Sequence, residues 1–420
     1  MRKVDILLSR NELDVELGLL IYSTPSVYVG NYVHDFIPSP LNFQVREIGF
    51  NNLPANTTLC NLESNHIECK KGEVLLYILC KEHLSTLEAI NIAKKILGVH
   101  HIGYAGLKDT SASTCQYVTI KCRENREIPT KVSKHISEKK GLILCFVSKS
   151  PSILKRGHLL GNEFTIRLRV KNGYEDLVVT TLRSKLSRTL FLNYFGYQRF
   201  GTLRPYNHVI GRLILESRYE EAVDYIVGKP TLWESTEARE ARRLFEEGKL
   251  KEALSRMPKH LSLERRVLTL LLKGLKPKDV IMKLGRGIIE IFIEALQSYI
   301  INLSLSELYL MYGGCEELLK RCEVLPYPIP TLDVRDVCSE VVTGTFKEIV
   351  SNAFGPFSKY LRRGFREVVV SAKNIHVSYD KGEVKLCFSL PPSAYATVIL
   401  REILRDKLKV RVSSYLSEMQ

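Results

Sequence analysis

The sequence predicts an α+β fold in which a part that mixes strands and helices is interrupted by a mostly helical insertion. Three observations carry the prediction: strand-like patterns before about Arg204, a stretch rich in helix formers from Gly211 to roughly Tyr312, and a return of strand patterns beyond Pro326-Tyr327-Pro328-Ile329-Pro330. Sheet-forming sequence on both sides of a helical third points to one discontinuous domain, residues 1–204 and 342–420, carrying an insertion at 205–341.

The elements follow in order. Glu73 to Lys81 is almost wholly apolar between charged flanks and reads as a buried strand. A helix comes next: Ser85 and Glu88 make a capping box, Leu87, Ile90, Ala93 and Leu97 share a face, and Gly98 supplies the stop. Strands are expected at Gln116 to Lys121 and Leu142 to Val147. The clearest is Glu163 to Val170, where Phe164, Ile166, Leu168 and Val170 alternate with Thr165, Arg167 and Arg169. Leu177 to Leu190 is helical in character. In the last part, strands are expected at Glu367 to Ser371, His376 to Tyr379 and Val384 to Leu390, with a turn at Asp380-Lys381-Gly382.

Composition narrows the class of function. With 420 residues, 45% hydrophobic and 25% charged, the chain has apolar material for one large or two medium domains. Lys and Arg number 61 against 46 Asp and Glu, a net charge of +15, which favours a polyanion partner, nucleic acid ahead of a membrane surface. The ten cysteines form no C-x-x-C pair and read as reduced core thiols. No signal-type apolar block follows Met1-Arg2-Lys3, and no run of about eighteen apolar residues is seen, so a cytoplasmic protein is expected.

Two segments stand out chemically. Gly103 through Gln116 combines two glycines and small polar residues with Lys108 beside Asp109. Lys108 there either holds a carboxylate ionised or contacts phosphate, and the segment equally suits a surface turn with a capping aspartate. Leu192 through Gly201 interleaves aromatics with Asn, Gln and Arg, a composition that suits base stacking or plain core packing. Between them, Lys155-Arg156-Gly157-His158 makes a basic turn that feeds the clear strand.

These segments resemble, in order, signature blocks of the TruD family of pseudouridine synthases. G-x-A-G-x-K-D…A-x-T-x-Q is met by Gly103 through Gln116, G-x-L-x-G-N-x-F by Gly157 through Phe164, and N-Y-F-G-x-Q-R-F-G by Asn193 through Gly201. Further resemblance lies in Phe43-Gln44-Val45-Arg46-Glu47-Ile48, in Gln297-Ser298-Tyr299 with Asn302, and in Leu390-Pro391 with Tyr395-Ala396-Thr397. Arg204-Pro205 with His208-Val209-Ile210-Gly211 resembles the archaeal and eukaryotic branch. The chain departs from the pattern at Thr110, where a basic residue is usual, at Asn42 for an acid, at Ser393 for a glycine, and at Glu367 for an arginine.

The resemblance implies the pseudouridine synthase catalytic fold, a mixed and mainly antiparallel sheet with flanking helices, interrupted by the TRUD insertion. It implies isomerisation of uridine to pseudouridine at position 13 of the tRNA D arm, with Asp109 as catalytic carboxylate and tRNA as partner. No metal, redox partner, nucleotide cofactor or membrane is implied. Phe43, Asn162, Phe164 and Phe388 are expected to bind the substrate base. Candidate RNA contacts are Lys108, Lys155, Arg156, Arg199, Arg362, Arg363 and Arg366. The same isomerisation at another RNA site, or a non-catalytic RNA-binding or RNA-folding factor, are the competing expectations. Cys115 is a weaker rival nucleophile, with a buried thiol as its default reading.

Overall fold

The structure is a computed structural model that describes residues 6–108, 112–137, 140–201, 203–351 and 355–410. At its centre is a nine-stranded sheet. In chain order its strands are β1 (Phe43–Ile48), β2 (Val74–Glu82), β3 (Ile102–Tyr104), β4 (Ser113–Lys121), β5 (Lys131–Ser137), β6 (Lys140–Ser150), β7 (Gly161–Arg169), β8 (Lys373–Asp380) and β9 (Glu383–Leu390). Across the sheet they run β8-β9-β7-β1-β4-β2-β6-β5, with β3 also paired to β4. Every one of these pairings is antiparallel except β1 with β4, where Gln44, Val45 and Arg46 lie beside Ser113, Thr114 and Cys115 in parallel. The sheet is therefore mixed and mainly antiparallel, and its two halves meet at a single parallel seam.

Local chemistry accounts for several boundaries. The helix α1 (Thr86–Leu97) begins at the capping box of Ser85 and Glu88 and ends at Gly98, whose φ of 62° is the left-handed conformation that glycine adopts without a Cβ clash. The hairpin joining β8 to β9 turns at Lys381 and Gly382, both with positive φ, as a two-residue turn requires. Asn42, which replaces an acid of the family pattern, still closes the turn before β1: its Oδ1 accepts from the Ser39 N–H at 2.8 Å and its Nδ2 donates to the Ile37 carbonyl at 2.9 Å.

Some expectations need correction. Glu367 to Ser371 is not a strand of the main sheet: Phe365–Glu367 pairs with Val324–Pro326, and Val369–Val370 with Phe191–Leu192. β5 carries no apolar alternation because it is an exposed edge strand, and so it left no periodic signal. The expectation of reduced thiols fails for eight cysteines, which form the disulfides Cys60–Cys145, Cys69–Cys122, Cys80–Cys115 and Cys322–Cys338, while Cys315 and Cys387 are free. Register explains one of these pairs directly: Cys80 and Cys115 are opposite one another on β2 and β4, a proximity that linear spacing conceals.

A helix α2 (Glu175–Lys185) packs on β8, and helices follow from Asn207 onward. The longest, α3 (Arg286–Tyr312), belongs to two cores. Its Phe292, Ile293 and Leu296 join Ile210, Ile214, Val223, Leu268 and Ile281 in the helical part. Its Ala295, Ile301, Leu305 and Leu308 pack instead with Phe164, Ile166, Leu386 and Phe388 of the sheet core. By length and composition α3 is apolar enough to cross a membrane, but 67% of that window is buried inside the protein.

Candidate active site

Side chains alternate along a strand, so Phe43, Val45 and Glu47 share one face of β1, and Asn162 and Phe164 share one face of β7. The antiparallel register sets Asn162 opposite Glu47 and Phe164 opposite Val45, and on its other side Phe164 lies opposite Phe388 of β9. Over this patch lies a cavity of about 340 Å3. Its walls come from Phe43, Val45, Asn162 and Phe164, from Leu107 and Lys108 after β3, from Gln198, and from Ala394 through Thr397. The last group forms the start of helix α4 (Ala396–Leu404).

The aromatic floor is ordered by packing. The Phe43 and Phe164 ring centroids are 6.1 Å apart, and Phe164 stacks on Phe388 at 5.6 Å with 29° between planes. Phe388 is fully buried and does not line the cavity. Its expected contact with the substrate base is thus corrected to that of a backing layer that fixes the Phe164 ring.

Lys108 is the polar centre of the site. Its Nζ lies 2.9 Å from Glu47 Oε2 and donates to Asn162 Oδ1 at 2.6 Å, with side-chain exposures of 5% for Lys108 and 1% for Glu47. Burial pushes the Glu47 carboxyl above the usual carboxylate range, opposed by the Lys108 ammonium and by the Tyr117 N–H. The Lys108 backbone is tied down as well: its N–H donates to Thr86 Oγ1 at 2.8 Å, and Gln116 Nε2 donates to the Gly106 carbonyl at 3.3 Å. Lys108 therefore faces inward at the cavity wall, its charge engaged by a buried carboxylate and an amide. Gly103 is explained by the chain itself. A Cβ there would fall 2.5 Å from the Ile153 side chain and 2.6 Å from the Leu154 carbonyl, so the segment before β7 lies directly on it.

Behind the cavity, Arg366 is 4% exposed. It donates to the Asn193 carbonyl and Oδ1, both at 2.8 Å, and to the Tyr194 and Ser393 carbonyls, both at 3.2 Å. Its guanidinium also sits 3.8 Å from the Phe195 ring centre. Burial lowers its pKa to about 10. The expectation of an RNA contact at Arg366 is corrected: the side chain clasps the Asn193–Phe195 segment to Ser393, next to the cavity wall. Ser393, in the place of a usual glycine, has a φ of 68°. Gly196 lets this wall close, since a Cβ on it would fall 2.8 Å from Thr397 Oγ1.

Three polar residues of α3 complete the frame. Gln297 bonds the Pro328 and Arg362 backbones, Ser298 Oγ accepts from Arg199 Nε at 3.0 Å, and Asn302 bonds both backbone groups of Phe195. Arg199 is paired further with Glu294 at 2.6 Å. Lys155, Arg156, Arg362 and Arg363 are exposed. Cys115 is bonded to Cys80, which removes it as a nucleophile while that bridge is intact. Asp109, the expected catalytic carboxylate, and its neighbours Thr110 and Ser111 lie outside the described residues.

Sequence reasoning left Glu47, Gln198, Tyr395 and Thr397 without roles. For Glu47 a signal existed, since strand parity puts it on the same face as Phe43 and Val45. Gln198, Tyr395 and Thr397 lie in blocks that resemble the family's, but only long-range packing brings them to one cavity.

Comparison with known proteins places the chain in a family. The family model for "tRNA pseudouridine synthase D (TruD)" matches residues 36–319. A relative from Pyrobaculum islandicum, described as "Probable tRNA pseudouridine synthase D", is 32% identical over 420 residues, covering 94% of this chain and 97% of that protein. One from Pyrococcus furiosus with the same description is 32% identical over 387 residues, covering 80% and 90%. The crystal structure of a protein from Methanosarcina mazei described as tRNA pseudouridine synthase D superposes with a TM-score of 0.62 at 22% identity, over 94% of this chain and 98% of that one, and so shares its fold. With the family model covering more than half of the sequence, the chain belongs to the tRNA pseudouridine synthase D (TruD) family, whose activity is an isomerisation.

Proposed function

We propose that this enzyme converts a uridine of tRNA to pseudouridine at position 13 of the D arm, with Asp109 as its catalytic carboxylate and with no metal or nucleotide cofactor. The C1′–N1 glycosidic bond breaks, the detached uracil turns, and a C1′–C5 bond forms; the proton lost from C5 is balanced by one gained at N1. A carboxylate serves as nucleophile at the sugar or at the base, or as base toward the ribose in a glycal route, and each use needs it ionised.

The observation that supports this reading is the position of Lys108, the residue immediately before Asp109. Its ammonium is fixed by Glu47 and Asn162 at the wall of a cavity floored by Phe43 and Phe164. Such a cavity suits a base drawn out of the RNA stack, the aromatic rings offsetting part of the few kcal/mol that unstacking costs. Because Asn162 Oδ1 is taken by Lys108, its amide NH2 is the group left to meet a uracil carbonyl. Residues 205–341 hold the tRNA from the other side of the cleft.

The test is an Asp109→Asn variant assayed on an unmodified tRNA transcript, with pseudouridine mapped by position. The expected outcome is retained tRNA binding with no pseudouridine formed. Undiminished pseudouridine formation would remove Asp109 from the chemistry, modification at another uridine would move the target, and loss of wild-type activity with a chelator would refute metal independence.

A further inference from the structure

A second cavity, of about 330 Å3, opens at the far end of β4 from the catalytic loop. Its lining includes His100, His101, Lys121, Arg123 and Arg126, with Glu124 as the one carboxylate among its lining residues. Lys121, Arg123, His100 and His101 are exposed. Arg126 is partly committed: its Nη2 donates to the Leu97 carbonyl at 2.7 Å, closing the end of α1. Basic side chains gathered around a concavity with one acid to answer them leave a local positive potential, which phosphate neutralises.

This cavity is joined to the active site by the chain itself. Ile153 forms part of its wall, Leu154 donates its N–H to Thr119 Oγ1 on β4 at 2.8 Å, and Gly157 donates its N–H to the Ala105 carbonyl at 2.8 Å. The segment from Ile153 to Gly157 therefore runs beside β3 toward Leu107 and Lys108, carrying the exposed Lys155 and Arg156 on the way. Lys121 and Ser113 end the same strand, so the second cavity stands roughly 26 Å from Ser113, where β4 begins, at a rise of about 3.3 Å per residue.

We propose that the Lys121–Arg123 cavity is a remote phosphate subsite that grips the tRNA backbone while the target nucleotide occupies the main cavity, with Lys155 and Arg156 tracking the backbone between. The subsite rests on the reading of tRNA as substrate. It fixes where the RNA lies without touching the reacting base, and its residues are positioning residues for the substrate.

The test pairs Lys121→Ala/Arg123→Ala with the charge-keeping Lys121→Arg/Arg123→Lys. For each, the Kd for an unmodified tRNA transcript is measured across a salt series, and kcat at saturating tRNA. The alanine pair is expected to weaken binding about tenfold near physiological salt and to flatten the log Kd against log salt slope by about 2, with kcat within twofold of wild type. The charge-keeping pair is expected to bind as wild type does. Unchanged affinity and slope in the alanine pair would overturn the subsite, as would a fall in kcat with affinity intact. If the wild type binds tRNA but forms no pseudouridine, the functional reading fails and the salt slopes still decide the subsite.

Discussion

Lys108 Nζ lies 2.9 Å from Glu47 Oε2 across the seam of the sheet, and both side chains are almost wholly removed from water. The pair ties the segment after β3 to β1, and Asn162 extends it to β7. Removing one member of a buried pair strands the other charge, so Glu47→Ala is expected to cost about 3–5 kcal/mol of stability. It should also slow pseudouridine formation by releasing the Lys108 ammonium from its set position. Chemical denaturation and single-turnover assays check both, and a variant as stable as the wild type would refute the structural role.

Arg366 gives a second prediction. Arg366→Ala leaves the Asn193, Tyr194 and Ser393 carbonyls without their guanidinium partner, and a loss of about 3 kcal/mol is expected. Lysine keeps the charge without the planar fork, so Arg366→Lys should recover only part of it. Neither change should alter the salt slope of tRNA binding, since the side chain is buried; a slope flattened by one would restore Arg366 as an RNA contact.

His208 predicts an acid-sensitive fold. It packs against Tyr299 at 4.6 Å and edge-on to Phe200 at 5.6 Å, and burial, helped by Arg212, lowers its pKa to about 4. A histidine depressed in the folded state takes up its proton first when unfolded. Stability is therefore complete above about pH 6.5 and is lost as pH falls toward 4, by up to about 3 kcal/mol from this group. Unfolding midpoints measured across that range should decline in the wild type and decline less in His208→Phe; equal declines would assign the effect to other groups.

The disulfides predict a thiol count. Under denaturing, non-reducing conditions the protein should show two reactive thiols, those of Cys315 and Cys387, and ten after reduction. The bridges close separations of 85, 53, 35 and 16 residues, for which the chain-entropy model gives about 3–4.6 kcal/mol each, so reduction should lower the melting temperature clearly. Ten reactive thiols before reduction would return the cysteines to the reduced state that composition suggests.

Much of the fold was legible where one local rule dominates. The capping box at Ser85, the alternation of β7 and the turn at Lys381-Gly382 are each set by neighbours within a few residues. The edge strand β5 and the short Val369–Val370 pairing were not, because edge position and long-range partners decide them. At the site, Phe43, Asn162 and Phe164 were named from motifs and do meet at one cavity, whereas Phe388 and Arg366 were assigned to the substrate and face the interior.

The sequence by itself determined the family, the residue types available for chemistry, and the order of elements, because these are properties of local pattern and motif. Only the tertiary structure decided that Lys108 is shared between Glu47 and Asn162, that Arg366 is a clasp, and that Cys80 faces Cys115. Each depends on strand register and burial, which bring together groups tens of residues apart and decide whether a charge meets water or another charge.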